Sequence, residues 1–482
     1  MIHHASACVL VWALALASPA AASPSLVPAV MPTRVLVVED EAWHAFNWAS
    51  FDQDKLVSYG NYQYSVYWAS DRVLSLMRRD LGADTIQIVR FESCRLAEGL
   101  PESQQRNGHR NTVIGLSPGD GRIHLAWDHH NNDLNYLRSR PHVITEAPDR
   151  IQAADFEDRQ PVAADAPQRV TYPRFFNDHE ERLYFFYRSG GSGAGNSALF
   201  AYEDASGQWR PISDRLLGLE GAYPGWENSR TRNAYMHDLL FDAAGRLHLT
   251  WVYREEARSW ASNHDLHYAY SDDRGRRWKN NAGEVIADTS AGDVITIDSP
   301  GIVVYEIPVY SWLMNQCVMT LDSRNQPHVA TYHMETPFVP EVLEHDPPAE
   351  ARDRLRFFHY WRDGSGRWRR GRPLPMHNAS GRPMLVATPD DSLILYFASR
   401  DGFLAHIARA EDHWIHWTTV RLTGPELTAN DATKPDRRLL QRRGVLSFTV
   451  DARGQQPGRG FGVVDFTVDH LLEAATPTPP AG

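Results

Sequence analysis

A short strand pattern recurs along the chain and constrains the fold more than any other feature. A glycine turn followed by an alternating strand occupies residues 121–127 and again 245–251, and a third copy occupies 326–332. With four weaker copies, the equivalent positions are 74, 124, 184, 248, 328, 394 and 446. Successive copies lie 50 to 80 residues apart, which is enough for one four-stranded sheet and its loops. The spacing predicts an all-β, seven-bladed β-propeller with four-stranded antiparallel blades over residues 33–473.

A second motif supports this interpretation. Residues 271–278 fit the Asp-box pattern Ser-x-Asp-x-Gly-x-x-Trp, and degenerate versions occupy 204–209 and 363–368. Aspartate and glycine favour a tight turn, and the tryptophan supplies a large apolar surface beneath it. We expect each box to be a structural hairpin turn between outer strands.

The two ends of the chain are predicted to lie outside the propeller. A short apolar run, Val9–Ala17, precedes small residues ending at Ala22, which predicts a cleaved signal peptide over 1–22. The protein is therefore expected to be secreted or periplasmic. The proline-rich segment 474–482 is expected to be a disordered tail.

Composition excludes several classes of partner. The net charge of -11 argues against nucleic acid, which favours basic surfaces, and no later stretch is apolar enough for a membrane. A monomer is expected. Cys8 lies in the predicted signal peptide, so only Cys94 and Cys317 remain, too few for a disulfide framework.

Polar residues cluster at one end of the predicted strands. In a hairpin, the start of one strand lies beside the end of the next, so these residues should share one mouth of the propeller. The opposite strand ends carry ordinary turns, such as 118–121 and 242–245. The residues at the mouth end are His109, His129, His130, Asn131, Tyr172, Arg174, Arg188, Tyr235, Tyr253 and Arg254. By contrast, His124, His248 and His328 lie mid-strand and are expected to be structural.

The residue types at this mouth suit β-elimination at a uronic acid. Arginine can neutralise the carboxylate and stabilise the developing enolate. Histidine or tyrosinate can take the C5 proton, and tyrosine or histidine can protonate the leaving oxygen. At the mouth, no two carboxylates stand out as the pair needed for glycoside hydrolysis, and the sequence has no convincing Gly-x-Ser-x-Gly elbow. The alternatives are a sialidase-type glycoside hydrolase and a non-catalytic glycan-binding propeller.

Across the mature chain, the sequence resembles the Asp-box (BNR-repeat) propeller polysaccharide lyases, typified by ulvan lyases. The resemblance is carried by His109, by residues 121–136 and 172–175, and by Arg188, Tyr235 and residues 251–254. It implies cleavage between rhamnose and a uronic acid in an anionic polysaccharide. The catalytic residues it implies are His109, His129 or His130, Tyr172 and Tyr235 for proton transfer, and Arg188 as the carboxylate neutraliser. The substrate-binding candidates are Asn131, Arg174, Tyr253 and Arg254.

The chemistry itself needs no cofactor. His264, Cys317 and His333 are expected near the same mouth, and the resemblance implies a structural zinc ion there. One thiolate and two imidazoles are chemically suited to zinc. The alternative is a buried free cysteine beside two hydrogen-bonded histidines.

Overall fold

A computed structural model describes residues 27–43, 47, 53–96, 101, 107–157, 169–256, 259–452 and 460–476. The predicted signal peptide lies outside the described residues. The predicted tail is partly described: Ala474 ends a helix, Ala475 is buried, and Thr476 donates through its backbone N–H to Glu473. The domain therefore extends at least to Thr476, three residues beyond the predicted boundary, because this last helix packs on the final sheet.

β-Strands dominate the described chain. The first part contains β1 (Arg34–Glu39), β2 (Leu56–Tyr59), β3 (Tyr62–Trp68), β4 (Val73–Asp80), β5 (Ile86–Arg95), β6 (Thr112–Ser117), β7 (Arg122–Trp127), β8 (His130–Asn132), β9 (Tyr136–Ser139), β10 (Phe156–Glu157), β11 (Val170–Asn177), β12 (Leu183–Gly191), β13 (Ala194–Glu203), β14 (Gln208–Leu217), β15 (Arg232–Phe241) and β16 (Leu247–Glu255). The second part contains β17 (Asn263–Ser271), β18 (Arg277–Lys279), β19 (Val285–Asp288), β20 (Val303–Tyr305), β21 (Val318–Leu321), β22 (Pro327–His333), β23 (Arg356–Arg362), β24 (Trp368–Arg370), β25 (Met384–Ala387), β26 (Leu393–Ser399), β27 (Gly402–Ala408), β28 (Trp417–Arg421), β29 (Leu427–Thr428), β30 (Val445–Ala452) and β31 (Phe461–Thr467).

The strands form several four-stranded antiparallel sheets. Five of them have the orders β2-β3-β4-β5, β6-β7-β9-β10, β21-β22-β23-β24, β25-β26-β27-β28 and β29-β30-β31-β1. A larger sheet of eleven strands holds β8 and β11 to β20. Because β1 pairs with β31, one sheet joins the two ends of the described chain. The all-β, sheet-by-sheet organisation expected for a propeller is confirmed.

Helices are short and peripheral among the described residues. They are α1 (Val143–Glu146), α2 (Ala349–Arg352), α3 (Arg437–Arg443) and α4 (Val468–Ala474), with 3-10 turns at Ala153–Asp155, Trp260–Ser262, Thr289–Ala291 and Ala410–Asp412. None of the described helices has the length and apolar character needed to cross a bilayer.

The predicted repeat matches the sheets at six of its seven positions. Residues 124, 184, 248, 328, 394 and 446 all lie on the second strand of a four-stranded run. Leu74 instead lies on β4, the third strand of its sheet, so the position equivalent to the others is on β3. Both β3 and β4 are almost entirely buried and both follow a turn, so their patterns do not distinguish them.

The Asp box forms the expected turn between the third and fourth strands. The Ser271 hydroxyl donates to Asp273 over 2.9 Å and accepts from the Gly275 backbone N–H over 2.8 Å. The indole of Trp278 is fully buried and donates to the Gly275 carbonyl. The degenerate boxes also join third and fourth strands, β13 to β14 and β23 to β24.

The core lies between neighbouring sheets. Strands β7, β16, β22 and β26 are buried at every position, because both of their faces are covered. Their mid-strand histidines are hydrogen-bonded inside this core, as His124 is to Tyr136 and His248 to Tyr268. These histidines are structural, as expected. Cys94 and Cys317 are both free and buried.

Candidate active site

Six of the predicted mouth residues line one cavity of about 1290 Å³. They come from the loop before β6, from β8 and from the strand pairs β11–β12 and β15–β16. These residues are His109, His130, Tyr172, Arg188, Tyr235 and Arg254. The predicted convergence of distant strand ends on one opening is therefore present in the structure.

Tyr172 is placed by an irregularity in β11. Its φ of +56° lies in the left-handed region, which is unfavourable for a residue with a bulky side chain. The pairing of β11 with β12 also shifts register between Thr171 and Arg174. Bulges of this kind redirect side chains beside functional sites. The buried phenol of Tyr172 thereby becomes part of the cavity lining.

Tyr172 is hydrogen-bonded to the histidine pair. Its hydroxyl lies 2.8 Å from Nε2 of His109. The ring of His109 stacks on His130, with centroids 4.2 Å apart and planes 13° from parallel. This contact joins the loop before β6 to β8 and β11.

Arg188 lies between the two tyrosines. Its guanidinium carbon is 4.8 Å from the ring centre of Tyr172, and its Nη1 donates to the Tyr235 hydroxyl over 3.4 Å. Arg188 is only 3% exposed, and its Nε has no hydrogen-bond partner among the described residues. It also forms no ion pair with a described carboxylate. An uncompensated, buried positive charge is therefore available for an anion.

Arg254 supports the second tyrosine from the other side. Its guanidinium carbon lies 4.8 Å from the ring centre of Tyr235, and its Nε donates to Asn263 over 2.7 Å. The adjacent Glu255 pairs with Arg232 rather than with Arg254. Arg254 thus also faces the cavity without a carboxylate partner in the described part of the chain.

The two tyrosines have opposite pKa shifts. Burial, reinforced by Tyr235, raises the pKa of Tyr172 to about 12. Burial also acts to raise the pKa of Tyr235, but Arg254 and Arg188 outweigh it, so the net pKa lies below the ordinary value. Two neighbouring titratable groups whose environments shift their pKa values apart are typical of acid–base catalytic sites.

The two stacked histidines, His109 and His130, are neutral at neutral pH. Burial, together with His130 and the positive charge of Arg188, holds the pKa of His109 well below 6.5. Burial and Arg188 also lower the pKa of His130, to about 4. The free site therefore holds these two rings as uncharged imidazoles.

Four predicted residues do not line the cavity. His129 is buried, and its Nε2 accepts from the backbone N–H of Asn135. Asn131 is exposed and accepts from Arg169, whereas Tyr253 is fully buried against His267. Arg174 donates to backbone carbonyls of β15 below the cavity. Of the two adjacent histidines, His130 is the one placed at the site.

The predicted zinc ligands do not form one site. The Cys317 thiol accepts from Thr331, and burial raises its pKa to about 12. His333 uses both ring nitrogens, one with the Met334 carbonyl and one with the Tyr360 hydroxyl. His264 is instead hydrogen-bonded to two carboxylates. These three residues therefore do not fit a shared metal ion, and the buried-cysteine alternative describes them.

A different set near His264 approaches metal-binding geometry. Within the described residues, His264, Asp265 and His267 are the group whose ligand atoms all lie within 4.8 Å of one another. Burial acts to lower the pKa of His264, but Asp265 and Glu255 outweigh it and the pKa is raised. A protonated His264, together with Arg232 on Glu255, offsets the two carboxylates there.

Several cavity residues were not predicted. Arg382 lies just before β25, the first strand of its sheet. Tyr172 and Tyr235 also lie near the start of their units. The same sequence reasoning, applied to the sixth unit, would therefore have identified Arg382. Arg352 ends α2 in the connection between β22 and β23, and Arg356 is the first residue of β23; the repeat gives no signal at either position. Asn107, which contacts His109 but does not line the cavity itself, lies outside every sequence pattern.

The comparisons with known proteins agree with this fold. A family model for BNR repeat-containing proteins matches residues 62–373, which is more than half of the chain. The chain belongs to the BNR repeat-containing family. No curated protein sequence matches the chain.

Solved structures resemble this BNR repeat-containing chain over nearly its whole length. The polysaccharide lyase Uly1 superposes with a TM-score of 0.66 at 14% identity, covering 91% of this chain and 100% of its own. A PL25 ulvan lyase bound to -[GlcA(1-4)Rha3S]- superposes with a TM-score of 0.66 at 12% identity, covering 92% of this chain and 100% of its own. At these identities the likeness establishes a shared fold.

Proposed function

We propose that this protein is a polysaccharide lyase that cleaves an anionic, uronate-containing polysaccharide by β-elimination. The observation that carries the proposal is Arg188, a buried guanidinium without a described carboxylate partner, held between two tyrosines of opposite pKa shift. A uronate carboxylate would supply the missing counter-charge. The tyrosines would then lie beside the same sugar ring.

The charge of the cavity supports an anionic polymer. Six arginines line it, compared with three aspartates, although the whole chain has a net charge of -11. The lining arginines are Arg188, Arg254, Arg352, Arg356, Arg382 and Arg400. A volume of about 1290 Å³ also exceeds the needs of one sugar residue. We propose a rhamnose–uronate backbone as substrate, as in the ligand of the ulvan lyase with the same fold.

The first step of the proposed reaction is removal of the C5 proton. Arg188 neutralises the carboxylate, which makes the C5–H bond acidic and stabilises the enolate that forms. The Tyr172 oxygen takes the proton while the phenolic proton moves to Nε2 of His109, 2.8 Å away. The raised pKa of Tyr172 makes its tyrosinate a strong base, which suits a weakly acidic carbon.

The second step breaks the bond between C4 and the glycosidic oxygen. The enolate electrons form the C4–C5 double bond, and the leaving oxygen takes a proton from Tyr235. Arg254 and Arg188 lower the pKa of Tyr235, which makes it the better proton donor of the two tyrosines. No water is consumed, and the products are an unsaturated uronate and a new reducing end.

The propeller proposed here has seven blades. The eleven-stranded sheet contains two four-stranded runs, β11-β12-β13-β14 and β15-β16-β17-β18, which meet through one parallel pair, Gly195 with Asn233. Dividing the sheet at that pair gives two blades, which join the five separate sheets. The repeat in the sequence supports the same count.

The proposed enzyme is an exported monomer that needs no cofactor for elimination. Two other functions stay open as alternatives: a sialidase-type glycoside hydrolase and a glycan-binding propeller without catalysis. A sialidase-type hydrolase would need a base beside its tyrosine nucleophile. Tyr235 has no carboxylate partner among the described residues, so this observation favours the lyase over the hydrolase.

The test combines a matched polymer pair with matched variants. We expect the sulfated glucuronate–rhamnose polymer to yield products that absorb in the ultraviolet, and its carboxyl-reduced form to yield none. Tyr172→Phe and Tyr235→Phe should each lower kcat by about 10²–10⁴-fold. The control, Tyr187→Phe, removes the hydroxyl of a buried tyrosine that does not line the cavity, and it should retain activity.

A uronate with an aryloxy leaving group at C4 separates the two tyrosine roles. Tyr235→Phe should recover most of its loss on this substrate, because a good leaving group needs no acid. Tyr172→Phe should not recover, because it lacks the base. Recovery by Tyr172→Phe alone would reverse the assignment. Binding without turnover across uronate polymers would instead favour the glycan-binding alternative.

A further inference from the structure

Asn107 is hydrogen-bonded to both stacked histidines, His109 and His130, through one carboxamide. Its Oδ1 lies 2.5 Å from Nδ1 of His109, and its Nδ2 lies 2.7 Å from Nδ1 of His130. The two imidazoles are stacked nearly parallel. Both Nδ1 atoms therefore lie along the edge that Asn107 occupies, and both Nε2 atoms lie along the other edge.

The orientation of this amide is fixed by a third hydrogen bond. The backbone N–H of His109 donates to Oδ1 of Asn107 over 3.1 Å. A backbone N–H can only donate, so the atom facing it must be the carbonyl oxygen. The other atom of the carboxamide is then the NH₂ group, and its partner on His130 must be an acceptor.

These contacts give the two rings opposite tautomers. Nδ1 of His109 must carry a proton to donate to Oδ1, which leaves Nε2 as a lone pair that accepts from the Tyr172 hydroxyl. Nδ1 of His130 must be unprotonated to accept from Nδ2, which leaves the proton of the neutral ring on Nε2. Because both rings are neutral at neutral pH, the tautomer decides what each can do.

We infer that Asn107 is a positioning residue that makes His109 a proton acceptor for Tyr172 and makes His130 a hydrogen-bond donor at the cavity. The inference deepens the proposed function and rests on it for its catalytic meaning. The acceptor His109 completes the Tyr172 base, and its Nδ1–H remains bound to Oδ1 when Nε2 takes the proton. The donor His130 offers its Nε2–H to an oxygen of the substrate.

An aspartate could not replace this asparagine. A carboxylate only accepts, so it would require protons on Nδ1 of both rings and would remove the donor that holds His130. Its negative charge would also raise the pKa of both imidazoles. This change would oppose the groups that face His109 and lower its pKa, which are His130, Arg188, Arg382 and Arg254. Asn107→Asp is therefore a nearly isosteric substitution with a distinct electrostatic signature.

The direct test is nitrogen NMR of the imidazoles in the full-length protein, with the two rings assigned by His109→Gln and His130→Gln. We expect one ring protonated at Nδ1 and the other at Nε2 in the wild type at neutral pH. The same tautomer on both rings would overturn the inference. This readout does not depend on turnover, so it stands or falls separately from the proposed lyase activity.

Kinetics then test the positioning role on the uronate polymer. Asn107→Ala should lower kcat by about 10–100-fold with KM within about twofold, because the wrong tautomer cannot serve as the acceptor. Asn107→Asp should shift the acidic limb of the pH profile upward, which a merely structural loss would not do. The control is Asn61→Ala, which also removes an asparagine with two hydrogen-bond partners, Asp80 and Arg443, in a turn outside the cavity. An unshifted acidic limb in Asn107→Asp, with a native fold, would contradict the inference.

Discussion

At the scale of single residues, Arg188 combines a functional position with a cost to stability. A charge that is 3% exposed and lacks a described carboxylate partner is unfavourable in the folded protein. Two aromatic faces and one tyrosine oxygen compensate it only in part. Residues of this kind persist because function requires them.

Replacing Arg188 should therefore separate activity from stability. We expect Arg188→Met to lower kcat/KM by at least about 10²–10³-fold, since the carboxylate loses its neutralising partner. The same variant should keep or raise the thermal midpoint, because a buried charge is replaced by an apolar chain of similar length. Polymer kinetics and differential scanning calorimetry check the two effects. A large drop in the midpoint would mean that Arg188 is structural.

The pKa shifts at the site give a direction for the pH profile. The proposed base works only while His109 is neutral, and burial holds its pKa well below 6.5. The acidic limb of kcat/KM should therefore lie below pH 6.5. The alkaline limb should lie below the ordinary tyrosine value, because Arg254 and Arg188 lower the pKa of Tyr235. An acidic limb at or above pH 6.5 would contradict the assignment of His109.

Which of two neighbouring residues faces the cavity can be predicted from the sequence only where strands stay regular. Successive side chains point to opposite faces, so of Tyr253 and Arg254 one must be buried away from the cavity. The sequence does not show which of the two is buried when a bulge changes the alternation. Such bulges lie between Thr171 and Arg174 and between Met236 and Asp238. The same ambiguity left His129 and His130 unresolved.

At the scale of elements, strand β15 is anchored below the cavity by a buried charge cluster. Asp238, 2% exposed, accepts from Lys434 over 3.1 Å and from Arg437 of α3 over 2.6 Å. Burial acts to raise the pKa of Asp238, but Lys434 and Arg437 outweigh it and the pKa is lowered. This cluster joins β15, which carries Tyr235, to the last sheet.

Asp238→Asn should lower the free energy of unfolding by about 3–5 kcal/mol, because it removes the buried carboxylate that faces the buried Lys434 and the partly buried Arg437. Chemical denaturation measures the loss. The matched control is Asp272→Asn, which breaks a partly exposed pair with Arg246 and should cost about 0–1 kcal/mol. Equal effects of the two substitutions would show that the cluster is not a structural anchor.

The elements themselves followed from the repeat wherever an aspartate-containing turn introduces the second strand. The copies at 124, 248 and 328 follow such turns and were predicted on the correct strand. In the first unit, the buried strands β3 and β4 both follow a turn and look alike, which explains the misplaced anchor at Leu74. The connection that carries Arg352 lies outside the repeat, so no periodic signal describes it.

At the scale of the whole molecule, buried histidines make the fold sensitive to acid. Burial is the main cause of a large fall in pKa at nine described histidines: His109, His124, His129, His130, His237, His267, His333, His359 and His406. Below pH 6.5 the unfolded chain binds protons at these positions and the folded chain does not. The stability that depends on these neutral histidines is therefore present above pH 6.5 and is lost as the pH falls.

The loss should be steep. When a histidine is protonated in the unfolded chain and neutral in the folded chain, the free energy of unfolding falls by about 1.4 kcal/mol for each pH unit of acidification. Nine such histidines would therefore remove a typical free energy of unfolding of about 5–15 kcal/mol within about two pH units. We expect cooperative unfolding between about pH 6 and pH 4, reported by tryptophan fluorescence. A native fold retained at pH 4 would contradict the neutral state of these rings.

The most direct test of the proposed elimination is the mass of the products released from the sulfated glucuronate–rhamnose polymer. We expect oligosaccharides that each lack one water relative to hydrolysis products and that carry a C4–C5 double bond at the non-reducing end. Products with the full mass of hydrolysis, or cleavage that continues on the carboxyl-reduced polymer, would contradict a lyase built around Arg188.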